Sequence, residues 1–384
     1  MYDLSDYLAM IDDHRRTSAY MRALQATIRP GDVVLELGTG FGYFAVEAAR
    51  LGAAHVYAVE PNDAIDLGPA LAARHGVADR ITFLQCRASQ VEMPERADVL
   101  LEDLRGCSPL LGGRLGILRD ARERLLRPGA RFVAQRDRLI VAPAMLRAPV
   151  GKRVATGPRV DGEALSLDDV RMRAAQTWRR IDADGFDLLA RASSWTTLDL
   201  TSVDRLDVDG AASFVIERDG LLEGLASWFE AELAGGARIS SGPEAGGSVY
   251  AVGWYPLARG ELVRVGDGVA VRLRATHEGT DYVWLWETTI TPADGSAPRR
   301  SRQSSLATSL LSAPRRARRA AAHVPGLTDA LAVQRELLGA VEGTRTLEEI
   351  TAILRARHPE RFADARAALA WTAAELARID EGSA

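Results

Sequence analysis

One stretch constrains the fold more than any other. Val33-Val34-Leu35-Glu36-Leu37 is an apolar run of strand length, and Gly38-Thr39-Gly40-Phe41-Gly42 follows it at once. A helical pattern comes next, and then a second apolar run, Val56–Val59, that ends in Glu60. A strand, a glycine turn, a helix and a second strand make a βαβ unit, whose two strands lie parallel. Gly38 and Gly40 allow positive φ and clear side chains from a place where a ligand can meet the backbone. The helix starting near Gly42 offers free N–H groups. An acid at the end of the second strand, as Glu60 is, can take both hydroxyls of a ribose.

The alternation continues through Ile81–Leu84, Val99–Leu101 and Phe132–Ala134, with Arg127-Pro128-Gly129 as a turn before the last run. Residues 1–30 read as two helices. Asp6 can cap the first, where Tyr7, Met10 and Ile11 share a face, and Tyr20, Ala23 and Leu24 mark the second. Beyond residue 145 the character changes. A helical segment at 165–180 precedes β-like runs at Thr196–Leu200, Ala212–Glu217, Val249–Trp254, Val269–Leu273 and Tyr282–Thr289, with an apolar segment that can extend at Leu221–Leu233. The expected organisation is an α/β chain in five parts. Covering helices occupy 1–30 and a Rossmann-like parallel sheet 31–145. An all-β barrel or sandwich spans 146–290, a linker 291–325 and a helical segment 326–384. The linker holds a basic patch, Arg315, Arg316, Arg318 and Arg319.

Composition narrows the function. Among 384 residues, 47% are hydrophobic and the formal net charge is −4, which gives no global pull toward nucleic acid or an anionic membrane. Two cysteines, Cys86 and Cys107, make no disulfide framework and fit a reducing cytoplasm. No apolar run approaches the ~18 residues that span a bilayer, and the polar, acidic N-terminus is no signal peptide, so a cytoplasmic chain is expected. The six histidines make no ligand spacing with the cysteines, so no metal is expected.

The glycine loop itself selects a ligand. Dinucleotide sites use G-x-G-x-x-G with a pyrophosphate on the helix N-terminus; here the pattern is G-x-G-x-G, with Glu36 just before it. A carboxylate there repels a pyrophosphate and suits a cationic sulfonium with an amino-acid tail. The expected cofactor is S-adenosyl-L-methionine. Glu36 can accept hydrogen bonds from the ligand's ammonium or hold the loop.

The segment Met10-Ile11-Asp12-Asp13-His14-Arg15-Arg16-Thr17-Ser18-Ala19-Tyr20 resembles the M-L-x-D-x-x-R-T-x-x-Y helix of protein arginine methyltransferases. Val34 to Glu60, and Ala97-Asp98-Val99-Leu100-Leu101-Glu102-Asp103-Leu104-Arg105-Gly106, fit the same family, and Gly224–Glu230 with Ile239–Pro243 resembles its barrel. The resemblance implies that Arg16 pairs with the cofactor carboxylate, a contact of about 1.5–3 kcal/mol. It also implies that Met10 packs on the cofactor, Glu60 holds the ribose, and Ala88 and Ser89 line the adenine. Tyr7, Asp103 and Tyr250 would face the acceptor, with Asp103 catalytic. A helical arm, placed here at residues 150–180, implies a homodimer.

Two departures redirect the acceptor. The family grips a guanidinium with two glutamates in its acidic loop; Asp103 stands at the first position, and Gly112 near the second. Its Thr-His-Trp loop falls at Ser248-Val249-Tyr250, without the histidine. The chain resembles a bacterial branch with a divergent acidic loop, and methylation of protein arginine in the usual way is not expected. Asp103 can orient an amine and stabilise the charge growing on its nitrogen. The expectation is N-methylation of an amine on a peptide or small natural product. A hydroxyl acceptor and a non-catalytic cofactor-binding scaffold are the alternatives. Glu342-Gly343-Thr344-Arg345-Thr346-Leu347-Glu348-Glu349-Ile350 resembles the D-G-x-R-T-x-x-E-I turn of helical domains that bind leader peptides of ribosomal natural products. A plain helical cap is the simpler reading of that segment.

Overall fold

The computed structural model describes residues 3–147, 168–246, 248–279, 281–308, 317–318, 321–322, 324–326 and 328–377. It divides into two compact units, Met1–Ser309 and Leu310–Ala384.

The first unit opens with helices α1 (Leu4–Asp12) and α2 (His14–Thr27). The cap of α1 is Asp3 rather than Asp6. The Asp3 side chain accepts from the Asp6 amide while the Asp6 carboxylate accepts from the Asp3 amide, so two otherwise unpaired donors are satisfied together. Asp13 caps α2 by accepting from the Arg16 amide. No residue of α1 is buried, whereas α2 buries Arg16, Tyr20 and Leu24.

A parallel sheet follows, built from β1 (Val33–Leu37), β2 (His55–Val59), β3 (Ile81–Leu84), β4 (Ala97–Glu102) and β5 (Leu126–Phe132), in the order β3-β2-β1-β4-β5. Helices α3 (Tyr43–Arg50), α4 (Gly68–Arg74) and α5 (Arg114–Arg124) lie in the crossovers. Every residue of β1 is buried, as expected for a strand covered on both faces. The order reverses between β1 and β4, so their exit loops part and leave a crevice at the strands' carboxyl ends. Leu37 sits beside Val59 on one side and Glu102 on the other, which brings Gly38, Glu60 and Asp103 out at one level. In β5, Ala97 pairs Leu126 and Val99 pairs Arg131, so Arg127-Pro128-Gly129 bulges out of the strand.

The chain changes sheets at Val133. β6 (Ala134–Leu146) pairs antiparallel with β11 (Gly220–Leu233) along its length. The expected strand Phe132–Ala134 is therefore split between two sheets, and residues 134–145 go with the antiparallel one. That seven-stranded sheet also takes β7 (Arg179–Ile181), β8 (Phe186–Leu188), β9 (Ser193–Asp199), β12 (Arg238–Ser240) and β13 (Val252–Val263). Near-continuous burial along the middle of β11 explains its apolar run. A second sheet runs β10 (Val208–Val215), β14 (Gly268–Glu278), β15 (Asp281–Thr291) and β16 (Arg299–Ser304). β14 alternates buried with exposed residues, and Trp284 and Trp286 of β15 are core. β16 lies in what was expected to be linker. It is an edge strand whose only buried side chain is Gln303, so Arg-Arg-Ser-Arg-Gln-Ser carries no apolar alternation.

Of the expected arm, 150–167 lies outside the described residues; 168–180 forms α6 (Asp168–Ala174) and the start of β7. Arg315, Arg316 and Arg319 also lie outside them, and Arg318 is exposed. The second unit holds α7 (Asp329–Ala340), α8 (Leu347–Arg357) and α9 (Ala365–Leu376) around Val333, Leu337, Ile350, Leu354 and Phe362. Thr346 and Glu349 form a reciprocal cap for α8, which gives the Thr-Leu-Glu-Glu stretch a structural role. Among the described residues no helix is long and apolar enough to cross a membrane.

Candidate active site

A cavity of about 1080 Å³ opens at the carboxyl edge of the parallel sheet. Its floor is the glycine loop. Gly40 has φ +58°, and a Cβ there would lie 2.8 Å from the Tyr7 ring, so the close approach of α1 requires glycine. Glu60 ties this floor together: one carboxylate oxygen accepts from the Gly40 amide at 3.0 Å and the other from the Asn62 amide at 3.0 Å. Ala88, Ser89 and Met10 line the same cavity. Gly42 does not. It lies under the loop with φ +88°, where a Cβ would stand 2.7 Å from Phe83.

Glu36 is 3% exposed and accepts from the Thr39 hydroxyl at 2.6 Å, so it does hold the loop. Burial pushes its pKa up to about 7, with the Thr39 hydrogen bond and the Arg16 charge offsetting part of the rise. A cation placed beside it would bring the carboxylate back to its charged form.

Arg16 reaches from α2 across the cavity to the exit of β4. Its guanidinium lies 5.4 Å from the ring centres of both Tyr20 and Phe44. Its Nε donates to Asp103 at 2.7 Å, with the Tyr250 hydroxyl at 3.0 Å, and one terminal nitrogen donates to the Met10 carbonyl at 3.1 Å. The Tyr250 hydroxyl also donates to Asp103. On the other oxygen, Asp103 accepts from Arg105 at 2.9 Å. Burial works against the Asp103 charge, but Arg16 and Arg105 outweigh it and bring the pKa down to about 2. Asp103 is therefore an anion already engaged by three donors, and a poor proton acceptor.

Behind Asp103 lies a buried ion network. Arg105 donates from Nε to Asp137 at 3.0 Å; Arg114 donates to Asp137 at 2.6 Å and to Glu102 at 2.9 Å. Arg105, Arg114 and Asp137 are 0% exposed. Three guanidinium groups, Arg16, Arg105 and Arg114, thus face three carboxylates, Glu102, Asp103 and Asp137, so the acidic loop is neutralised from within. Gly112 lines the cavity at φ +61° with open space where its side chain would be. Val249 and Tyr250, read as strand from sequence, form a turn. Val249 is pinned by its amide to Asp13 (3.4 Å), and Ala251 after it holds φ +59°, a conformation L side chains rarely adopt.

A family model for ribosomal protein L11 methyltransferase (PrmA) matches residues 12–103. An arginine N(omega)-methyltransferase of Streptomyces achromogenes subsp. streptozoticus is 28% identical over 277 residues, covering 70% of this chain and 75% of its own. The chain spans less of a probable histone-arginine methyltransferase CARM1 of Oryza sativa subsp. indica: 28% identity over 233 residues, 58% of this chain and 44% of that one. The Trypanosoma brucei PRMT1 enzyme-prozyme heterotetrameric complex with AdoHcy superposes with a TM-score of 0.68 at 16% identity, over 78% of this chain and 97% of that chain. The chain is an S-adenosyl-L-methionine-dependent methyltransferase of arginine-methyltransferase-like class I fold.

The methyltransferase's cavity fits the cofactor: its glycine floor is kept free of side chains, and Glu60, Arg16 and Glu36 line it. Sequence reasoning missed Arg105, Arg114, Asp137 and Glu102 as a set. The available signal was charge inside apolar runs, as in Val99-Leu100-Leu101-Glu102. It also missed Arg180 and His277, which line the cavity from β7 and β14.

Proposed function

We propose that the methyltransferase methylates an amine nitrogen of a peptide or small natural product, with Asp103 as the anion that orients the acceptor. The observation that carries this reading is the place of Asp103, at the cavity wall and bonded to both Arg16 and Tyr250. When bound, S-adenosyl-L-methionine supplies a methyl group on a sulfonium; the N–C bond forms as the S–C bond breaks, and sulfur keeps the electron pair. The donor is already activated, so the chain's part is positioning, worth several kcal/mol of the barrier. Arg16 would hold the donor's carboxylate and Glu60 its ribose. Asp103 stabilises positive charge growing on the acceptor nitrogen, and the released proton goes to solvent because Asp103 is held as an anion.

The name of the Streptomyces relative supports nitrogen as the acceptor atom. The neutralised acidic loop and open Gly112 support an acceptor other than a guanidinium gripped by two carboxylates. The reading includes a homodimer, which a monomeric mass in solution scattering would refute. The chemical test is mass spectrometry of turnover with candidate amines. A product one methyl group heavier, absent with Asp103→Ala, supports the enzyme. Tight cofactor binding without turnover of any candidate would favour the scaffold, and products carried on oxygen the hydroxyl reading.

A further inference from the structure

We infer that the acceptor brings its own carboxylate and that Arg180 binds it. This rests on the amine reading and names the acceptor class more narrowly: an α-amino acid, free or at a peptide's C-terminus.

Arg180 leaves β7 opposite Gly253, is exposed, and lines the same cavity as Asp103. One guanidinium nitrogen donates to the Val249 carbonyl at 3.0 Å, which fixes the group beside the residue whose neighbour, Tyr250, bonds Asp103. Among the described residues it makes no ion pair, so its other N–H donors remain for a ligand. Arg87 and Arg119 also line the cavity, but at the exit of β3 and on α5. Arginine's planar fork matches a carboxylate with two parallel hydrogen bonds.

The charge count points the same way. Glu102, Asp103 and Asp137 are already paired with Arg16, Arg105 and Arg114, so that network leaves no carboxylate over for Arg180. Gly112 puts no carboxylate there to oppose it. A bare cationic amine entering this end meets repulsion. A carboxylate on the same molecule, seated on Arg180, offsets that repulsion while the amine points toward Asp103.

The test uses full-length protein saturated with S-adenosylhomocysteine, titrated calorimetrically with L-lysine, L-ornithine and L-arginine, with their carboxamides, and with short peptides ending in each residue as acid or amide. At least one acid should bind tenfold or more tightly than its amide. Arg180→Gln should erase that preference by weakening the acid alone, with S-adenosylhomocysteine affinity unchanged. The free and peptide arms separate the two sources of the carboxylate. Equal binding of acid and amide, or a preference that survives Arg180→Gln, overturns the inference; Asp103-dependent methylation of the amides would then leave the amine reading standing. Failure of every acid to bind overturns it too, and a further failure to methylate any amide would take the amine reading with it.

Discussion

The two ends of the cavity are built on different plans. The donor end comes mostly from one continuous segment, β1, the glycine loop and the exit of β2, and its key bond joins Gly40 to Glu60 across twenty residues. Its shape is set by backbone. The acceptor end is set by side chains from α2, β4, α5, β6, β7 and the Tyr250 turn, and Arg16 meets Tyr250 across 234 residues. A backbone-made site tolerates few replacements, since each glycine there answers to φ or to a close approach. A side-chain site is retuned by single changes, and Gly112 and Val249 are such changes relative to the family pattern that the sequence resembles. The ends meet at Arg16, which packs on Tyr20 and Phe44 and bonds Asp103.

Removing Arg114 should separate the two ends most sharply. Arg114→Met leaves Glu102 without its guanidinium partner and Asp137 with one fewer, both at 2% exposure or less. A loss of about 3–5 kcal/mol in urea unfolding is expected, with cofactor affinity spared in the protein that remains folded. A neutral result would mean that the network is not what holds the acceptor end. At the donor end, Arg16→Ala and Glu60→Ala should each weaken S-adenosylhomocysteine binding at least tenfold, about 1.4 kcal/mol, by calorimetry. Unchanged isotherms would remove both from the donor site.

While Asp103 at the acceptor end stays charged, Glu36 titrates near neutrality at the donor end. Its folded pKa of about 7 lies above the usual 4.5. The stability it contributes is present below that usual value and is lost as pH rises through about 7. If the cofactor's ammonium sits beside it, S-adenosylhomocysteine affinity should rise with pH through the same window, and Glu36→Gln should flatten the slope. Asp103, lowered to about 2 from 3.8, contributes stability that is present above 3.8 and lost only as pH falls through about 2. The smallest effect belongs to Ala251→Gly. Relief of the left-handed backbone outweighs the added freedom of the unfolded chain, for a gain of roughly 0.5 kcal/mol in unfolding free energy. A loss instead would show that the buried Ala251 methyl is worth more than the strain.

Legibility followed the same divide. Strand, glycine loop, helix, strand and acid are neighbours in the chain, so their spacing exposes the cofactor and the parallel sheet. β16 was hidden because an edge strand needs no apolar alternation, and the switch at Val133 because one apolar run served two sheets. Arg105 stands in the acidic-loop motif and Arg114 in a helix, and nothing beside either in the chain shows that it is buried. Nothing local marks Asp137, 32 and 23 residues further on, as the partner of both.

The sequence by itself determined the parallel βαβ core, the glycine floor, the terminal acid and therefore the donor, because short-range spacing fixes strands, turns and the groups at their ends. It also marked the missing second carboxylate at Gly112 and the missing histidine at Val249. Only the tertiary structure decided what the acceptor end has instead. Charges from α2, β4 and its exit, α5 and β6 cancel only once folding buries them together, in a low dielectric where an unpaired charge is costly. That is how Asp103 comes to be a tethered anion, while Arg180, brought to the cavity by the pairing of β7 with β13, stays exposed.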